Sequence, residues 1–342
     1  MRRKSIAGLA ALTASLFAAI LFLNHPPAAR ALDNARWGAN YFPNIELTDQ
    51  YGNKHHFYDD LLKGKLVAID MIYTHCVDSC PLETARLAEV QRLLGDRVGK
   101  DIFFYSITLD PKRDTPEVLK AYADKYHVGP GWLFLTGKGS DIEAVARKLG
   151  LWSDPDPSNR DGHTASLLLG NEPEGEWTRS TATDNPRFLS IMIGDMMDAW
   201  RHGSSAPKTS YAEAQPLHLD QGRYLFKTHC AACHTIGHGD KIGPDLLGVT
   251  NVRDHAWLTS IIQTPDKVLA GGDPIAAALF KKYNEVQMPN LRVSAPDAAA
   301  LVKFLEDETA AAASQPKEPE KSAEKAPEKS ASVSSAPGTS ER

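Results

Sequence analysis

The period of apolar and polar positions changes several times along the chain, and the changes divide it into regions. Residues 6–23 form one continuous apolar run. Over residues 40–201, short apolar, β-branched or aromatic runs alternate with stretches of helical spacing. Lys65–Thr74, Ile102–Asp110, Trp132–Thr136 and Ala165–Gly170 have the length and composition of strands. Between and after them Pro81–Leu94, Pro116–His127, Asp141–Leu149 and Pro186–Trp200 carry helical spacing, as in Leu87, Val90 and Leu94. Pro81 and Pro116 stand where the first turn of a helix tolerates proline. Alternating strands and helices predict an α/β domain, a sheet covered by helices. Residues 202–216 are polar and rich in turn formers, so they read as a linker. Residues 217–306 show helical patterns and no convincing strand. From 308 to 342 Ala, Pro, Ser, Lys and Glu dominate without apolar periodicity, the composition of a disordered tail.

A length of 342 residues fits two domains of ordinary size, and 42 % hydrophobic residues suffice for real cores. With 38 Lys and Arg against 43 Asp and Glu, no strongly basic nucleic-acid surface is expected. Arg2, Arg3 and Lys4 precede the apolar run, and Ala29-Arg30-Ala31 follows it, the order of a secretory signal. The run is 18 residues long, so residues 1–31 read either as a cleaved signal peptide or as a retained membrane anchor. Both readings put the remainder outside the cytoplasm, in the periplasm. There is no lipobox cysteine. Without residues 1–31 the formal charge goes from −5 to −9 through the loss of Arg2, Arg3, Lys4 and Arg30. An acidic exported protein suits basic protein partners better than nucleic acid or anionic lipid.

Four cysteines form two close pairs, Cys76/Cys80 and Cys230/Cys233, a pattern of chemistry rather than stapling. Cys230-Ala231-Ala232-Cys233-His234 is a C-x-x-C-H motif, the attachment sequence of one covalent c-type haem. At a helix start the two thiols reach the two vinyl groups of a porphyrin, and His234 points at the iron. The region resembles class I cytochrome c over about 90 residues, an all-α fold. Gly222-x-x-x-Phe226 matches that family's N-terminal helix, and Leu301–Leu305 its C-terminal one. Gly243-Pro244-Asp245-Leu246 matches the loop whose proline carbonyl orients the proximal histidine. Met288, 54 residues after His234, stands at the position of the family's distal ligand. His238 is too close in sequence to reach the opposite haem face, and His255 is the fallback ligand. His/Met ligation raises the potential and suits electron transfer.

Thr74-His75-Cys76-Val77-Asp78-Ser79-Cys80-Pro81 joins a predicted strand to a predicted helix. A helix start favours thiolate, and two neighbouring thiolates suit Cu(I) or close into a disulfide. These residues resemble the SCO/SenC copper-chaperone family, which has a thioredoxin-like fold, over roughly residues 40–200. The resemblance extends to Leu47-Thr48-Asp49-Gln50 with Gly52, to Gly64-Lys65, to Asp110-Pro111-Lys112-Arg113-Asp114-Thr115-Pro116, and to Phe134-Leu135-Thr136-Gly137. It implies one copper ion on Cys76, Cys80 and a third ligand, His163, 83 residues after Cys80. Val77 stands where the family usually has proline, and Gly162-His163-Thr164 departs from its commoner D-H-S. His75 adjoins the motif as a fourth donor, a proton acceptor or a solvated side chain. Met192, Met196 and Met197, on the predicted helix after Pro186, read as core.

The leading expectation is therefore a multidomain protein, thioredoxin-like then cytochrome c, that handles copper outside the cytoplasm. The resemblance implies the copper-receiving subunit of a respiratory oxidase as client, with redox proteins as further partners. The alternatives are a thiol–disulfide oxidoreductase using Cys76 and Cys80, and an electron-transfer cytochrome with a docking domain. Protein dithiols have potentials of about −120 to −270 mV, and His/Met haems lie higher, so electrons run from thiols to haem. A disulfide releases two electrons and one haem accepts one, whereas copper changes by one and matches it. No fourth ligand for structural zinc is evident.

Overall fold

A computed structural model describes residues 37–152, 166–196 and 220–314 of the chain. The N-terminal run 6–23, the 202–216 segment, Met197 and His163 lie outside the described residues. No helix among the described residues is long and apolar enough to cross a membrane.

Seven strands form one sheet: β1 (Glu46–Asp49), β2 (Lys54–His56), β3 (Leu66–Ile72), β4 (Ile102–Thr108), β5 (Trp132–Thr136), β6 (Ser166–Asn171) and β7 (Glu176–Thr181), in the order β2-β1-β5-β4-β3-β6-β7. β3, β4 and β5 run parallel in the centre, and the flanking pairs are antiparallel. All seven residues of β3 are buried, which is why it reads as an unbroken apolar run rather than an alternating one. Side chains alternate between the two faces. Leu66, Ala68, Ile72, Phe104, Trp132 and Phe134 pack beneath α1 (Cys80–Leu94) and α2 (Pro116–Lys125). Val67, Ile69, Met71, Tyr105 and Ile107 face α3 (Gly139–Leu149) and a π-helical turn at Phe57–Leu62.

The expected central strands and the helices α1 to α3 are all present, displaced by one or two residues at their ends. The β1–β2 hairpin and β7 are additions. Gln50 ties the hairpin to β5, donating to the Trp132 carbonyl at 3.1 Å and accepting from Phe134 N–H at 2.8 Å. This is a physical role for the Leu47–Gln50 segment. The helix expected over Pro186–Trp200 is α4 (Pro186–Ile191) followed by a π-helical turn at Met192–Met196. Met192 packs against the α1–α2 core, as expected of a core methionine.

Residues 220–314 contain helices and no strand among the described residues. α5 (Gln221–Leu225) continues as a π-helical turn to Cys230 and crosses α10 (Ala295–Ser314). The Phe226 and Phe304 rings meet across this crossing with centroids 5.6 Å apart, tilted by 44°. Between them lie α6 (Val249–Val252), α7 (His255–Gln263), α8 (Pro265–Ala270) and α9 (Pro274–Lys282). α10 runs to Ser314, past residue 308, where composition predicts a disordered tail. Two contacts hold that extension: Glu308 accepts from Arg223, and Thr309 Oγ1 accepts from Gly248 N–H at 3.0 Å.

Candidate functional site

Cys80 is the first residue of α1 and Cys76 lies one turn before it, both buried, with Tyr73 closing a small cluster around the sulfurs. The two thiols are not equivalent. Cys80 S–H donates to Cys76, and the Tyr73 hydroxyl and the N–H groups of Asp78 and Cys80 also point at Cys76; together they pull the Cys76 thiol well below its ordinary range. Burial pushes the Cys80 thiol up, and the negative charge on Cys76 adds to the effect. The sequence expectation of thiolate at the helix start therefore holds for Cys76 and fails for Cys80, where complete burial outweighs the helix dipole. In the reduced, metal-free protein, alkylation of Cys76 is expected to have its midpoint below about 8.5, the ordinary thiol value. That of Cys80 should lie above it. Mass-spectrometric mapping of alkylated peptides against pH checks this, and equal midpoints would contradict it.

The Asp110–Pro116 segment buttresses this loop. Asp114, fully buried, accepts from Thr74 N–H at 3.2 Å, from the Thr74 hydroxyl at 2.5 Å and from the Thr108 hydroxyl. Thr115 caps α2 by accepting from Val118 N–H, and Pro116 opens its first turn. Arg113 reaches outward, with Nη1 2.9 Å from His75 Nε2; Asp110 lies 3.7 Å from the same nitrogen. His75 is thus half exposed and engaged by Arg113 and Asp110. Among the described residues no group of three or more His, Cys, Asp or Glu side chains gathers as a metal site. The structure brings Cys76 and Cys80 together, and the third expected ligand, His163, lies outside the described residues.

The second cysteine pair opens onto a cavity of about 710 Å³ in the helical region. Cys230, Cys233, His234, Pro244 and Met288 all line it. His234 Nδ1 lies 2.9 Å from the Pro244 carbonyl, which assigns the N–H to Nδ1 and leaves the Nε2 lone pair for a metal. Burial lowers the His234 pKa and favours the neutral ring. A Cβ on Gly243 would sit 2.6 Å from His234 Cε1, so only glycine lets the loop lie against the imidazole. Burial pushes the Cys230 and Cys233 thiols up to about 12 and about 11, opposite to Cys76. These residues fit a haem, which Cys230 and Cys233 would anchor and whose iron His234 and Met288 would hold. His255, the fallback, faces outward and pairs with Glu306 at 3.1 Å. His238 is also exposed.

The two sites adjoin. Pro81 and Leu82 of α1 line the haem-sized cavity. Ala232 and Ile242 are buried in the α1–α2 core, and Cys233, Val286 and Leu291 pack against it. Asn290 N–H, two residues beyond Met288, donates to the Val77 carbonyl, next to Cys76, at 2.8 Å. Lys241 stands 3.8 Å from Glu89, and Lys125 donates to the Glu285 carbonyl at 3.3 Å. Arg86 donates to the carbonyls of Asp184 at 3.0 Å, Lys227 at 3.4 Å and Thr228. Asp114, Arg86, Leu82 and Asn290 were not singled out from sequence. Only Asp114 carried a signal, its place in the Asp110–Pro116 segment.

Comparison with known proteins separates the same two units. The SCO1/SenC family model matches residues 34–191 and the cytochrome c model residues 219–308. An SCO2-like protein of Rickettsia felis is 35 % identical over 143 residues, 40 % of this chain and 65 % of that protein. The mitochondrial protein SCO1 of Saccharomyces cerevisiae is 31 % identical over 139 residues, 39 % of this chain and 45 % of that one. The chain thus spans less than two thirds of these curated relatives. A solved structure of Bradyrhizobium japonicum ScoI with copper bound is 29 % identical, covering 44 % of this chain and 94 % of that one, with a TM-score of 0.37. The chain therefore joins an α/β region matched by the SCO1/SenC family model to a helical region matched by the cytochrome c model.

Proposed function

We propose that this chain is an exported copper-handling metallochaperone whose copper and dithiol chemistry is coupled to a covalently held haem. Cu(I) is the cargo. Cys76 and Cys80 hold it with His163, and it passes by ligand exchange to the copper-receiving subunit of a respiratory oxidase. The Cys76 environment supports this reading, because it presents a thiolate at neutral pH to a soft ion. Cys80 gives up its proton when the ion arrives, replacing the S–H contact between the sulfurs. When bound, the haem supplies a one-electron donor or acceptor, which matches the one-electron change of copper. His234 and Met288 hold the iron, Pro244 fixes the His234 tautomer, and Cys230 and Cys233 anchor the porphyrin.

The observation that carries the coupling is the hydrogen bond from Asn290 N–H to the Val77 carbonyl. It ties the peptide that follows Cys76 to the peptide that follows Met288 and its adjoining Pro289. An anaerobic Cu(I) competition titration of the reduced protein, run beside His163→Ala, tests the chaperone reading. Tight one-to-one binding that weakens at least tenfold in the variant is the expected result. Affinity no higher than that of a generic dithiol, indifferent to His163, would overturn it. That outcome would favour a thiol–disulfide oxidoreductase, for which the split between a reactive Cys76 and a buried Cys80 is the supporting observation. Stopped-flow mixing of the Cu(II)-loaded protein, its haem reduced, then tests the coupling through the haem band. Copper reduction with no haem oxidation would sink it.

A further inference from the structure

Arg86 is a buried cation on which the carboxylates of Glu89 and Asp184 act only from beyond ion-pair distance. It projects from α1 six residues after Cys80, is 4 % exposed, and makes no ion pair among the described residues. Its partners are three backbone carbonyls, and its Nε finds none. Asp184 O belongs to the SCO1/SenC domain. The other two, Lys227 O and Thr228 O, belong to the π-helical turn that ends at Cys230, where the carbonyls of a helix end carry partial negative charge. An ion withdrawn from water with no carboxylate in direct contact costs free energy, so packing alone does not account for a guanidinium here. The site has two uses for one. The planar fork reaches carbonyls on both domains at once, which a point-charge ammonium cannot do. The charge is also fixed beside the haem-attachment turn, close enough to His229, Cys230 and Cys233 to act on all three electrostatically.

We propose that Arg86 is a positioning residue that clamps the haem-attachment turn to the dithiol helix and, through its charge, raises the haem reduction potential. The ferric form carries one more positive charge than the ferrous form, so a neighbouring buried cation disfavours it. A higher potential makes the haem the better electron acceptor from the thiol or copper side. The inference deepens the coupling proposed above, but clamp and potential are measurable with no copper bound and with Cys76 and Cys80 alkylated. Failure of the clamp is therefore distinguishable from failure of electron exchange.

The experiment uses the full haem-loaded chain. Arg86→Met removes fork and charge, whereas Arg86→Lys keeps the charge and loses the fork. Spectroelectrochemical titration gives the potential, and hydrogen exchange at the Asn290 amide, bonded to Val77, reports docking. Arg86→Met is expected to shift the ferric/ferrous equilibrium at least tenfold toward ferric, about 59 mV for a one-electron couple, and to lose at least tenfold in Asn290 protection. Arg86→Lys should lose protection with less than a threefold change in that equilibrium. If Arg86→Met loads no haem, Arg86→Gln, which also removes the charge, takes its place in the potential measurement, and Arg86→Lys decides the clamp. Unchanged protection in Arg86→Lys overturns the clamp, and an unchanged potential in a haem-loaded Arg86→Met overturns the electrostatic role.

Discussion

Replacing Gly222 with alanine is expected to destabilise the cytochrome c domain by on the order of 3 kcal/mol, a large share of the roughly 5–15 kcal/mol by which domains are stable. An added Cβ would lie 2.2 Å from the Ala300 carbonyl oxygen and 2.5 Å from Phe304 Cβ. Both belong to α10, and neither is the far end of a flexible side chain. The helices must therefore part, loosening the Phe226–Phe304 contact and the buried Leu301 and Leu305 around it. Thermal unfolding followed by near-ultraviolet dichroism should show a transition lowered by several degrees. Because the domains share a buried interface, the change should reach the SCO1/SenC domain in weakened form. An unaltered melt would mean that the two helices do not cross at Gly222.

The same glycine shows what was legible in the sequence. Gly222, Phe226 and the leucines of the last helix were readable because the crossing fixes residue types at fixed spacings. The length of α10 was not. Its last two turns are acidic and alanine-rich, like the tail, and what marks them as helix is contact with Arg223 and Gly248, far away in sequence. In the N-terminal domain β3, β4 and β5 were plain because central parallel strands are apolar on both faces. β1 has only four residues, and β2 and β7 are short or polar edge strands paired on one side, so all three carry too little pattern to stand out.

At the site, the residues whose chemistry restricts their identity were visible: the two cysteine pairs, His234, Pro244 and Met288. Their environments were not. A helix start gave the same sign for both thiols of the first pair, and only three-dimensional burial separates Cys80 from Cys76. The docking was equally hidden, since Val77 meets Asn290 and Arg86 meets Thr228 across more than a hundred residues with no periodic signature. Two domains joined by a linker in sequence are, in the structure, continuous through Ala232 and Ile242. This continuity is what makes the fusion more than tethering: the cavity beside Cys230 and Cys233 takes part of its wall from the helix that begins at Cys80.

The largest effect on the Cys76/Cys80 site from a residue outside it is expected at Asp114. Its carboxyl group gathers the Thr74 amide, the Thr74 hydroxyl and the Thr108 hydroxyl, so one side chain joins the ends of β3 and β4. Cys76 follows Thr74 by two residues, and its own N–H bonds back to the Tyr73 carbonyl. Asp114→Ala leaves the buried Thr108 hydroxyl and the part-buried Thr74 donors without their acceptor, at about 1–3 kcal/mol for a buried group left unsatisfied and less for the Thr74 pair. A loss of about 3 kcal/mol or more is expected in urea unfolding, with Cu(I) affinity reduced at least tenfold because the loop no longer holds the two sulfurs in register. Asp114→Asn should rescue only part, since one of its two ends is a donor facing donors. Asp110→Ala is the comparison, as that side chain is partly exposed and its removal costs at most about 1 kcal/mol. If Asp114→Ala unfolds more easily yet binds Cu(I) as before, then Cys76 is placed by the start of α1 alone, and the Asp110–Pro116 segment serves the fold rather than the site.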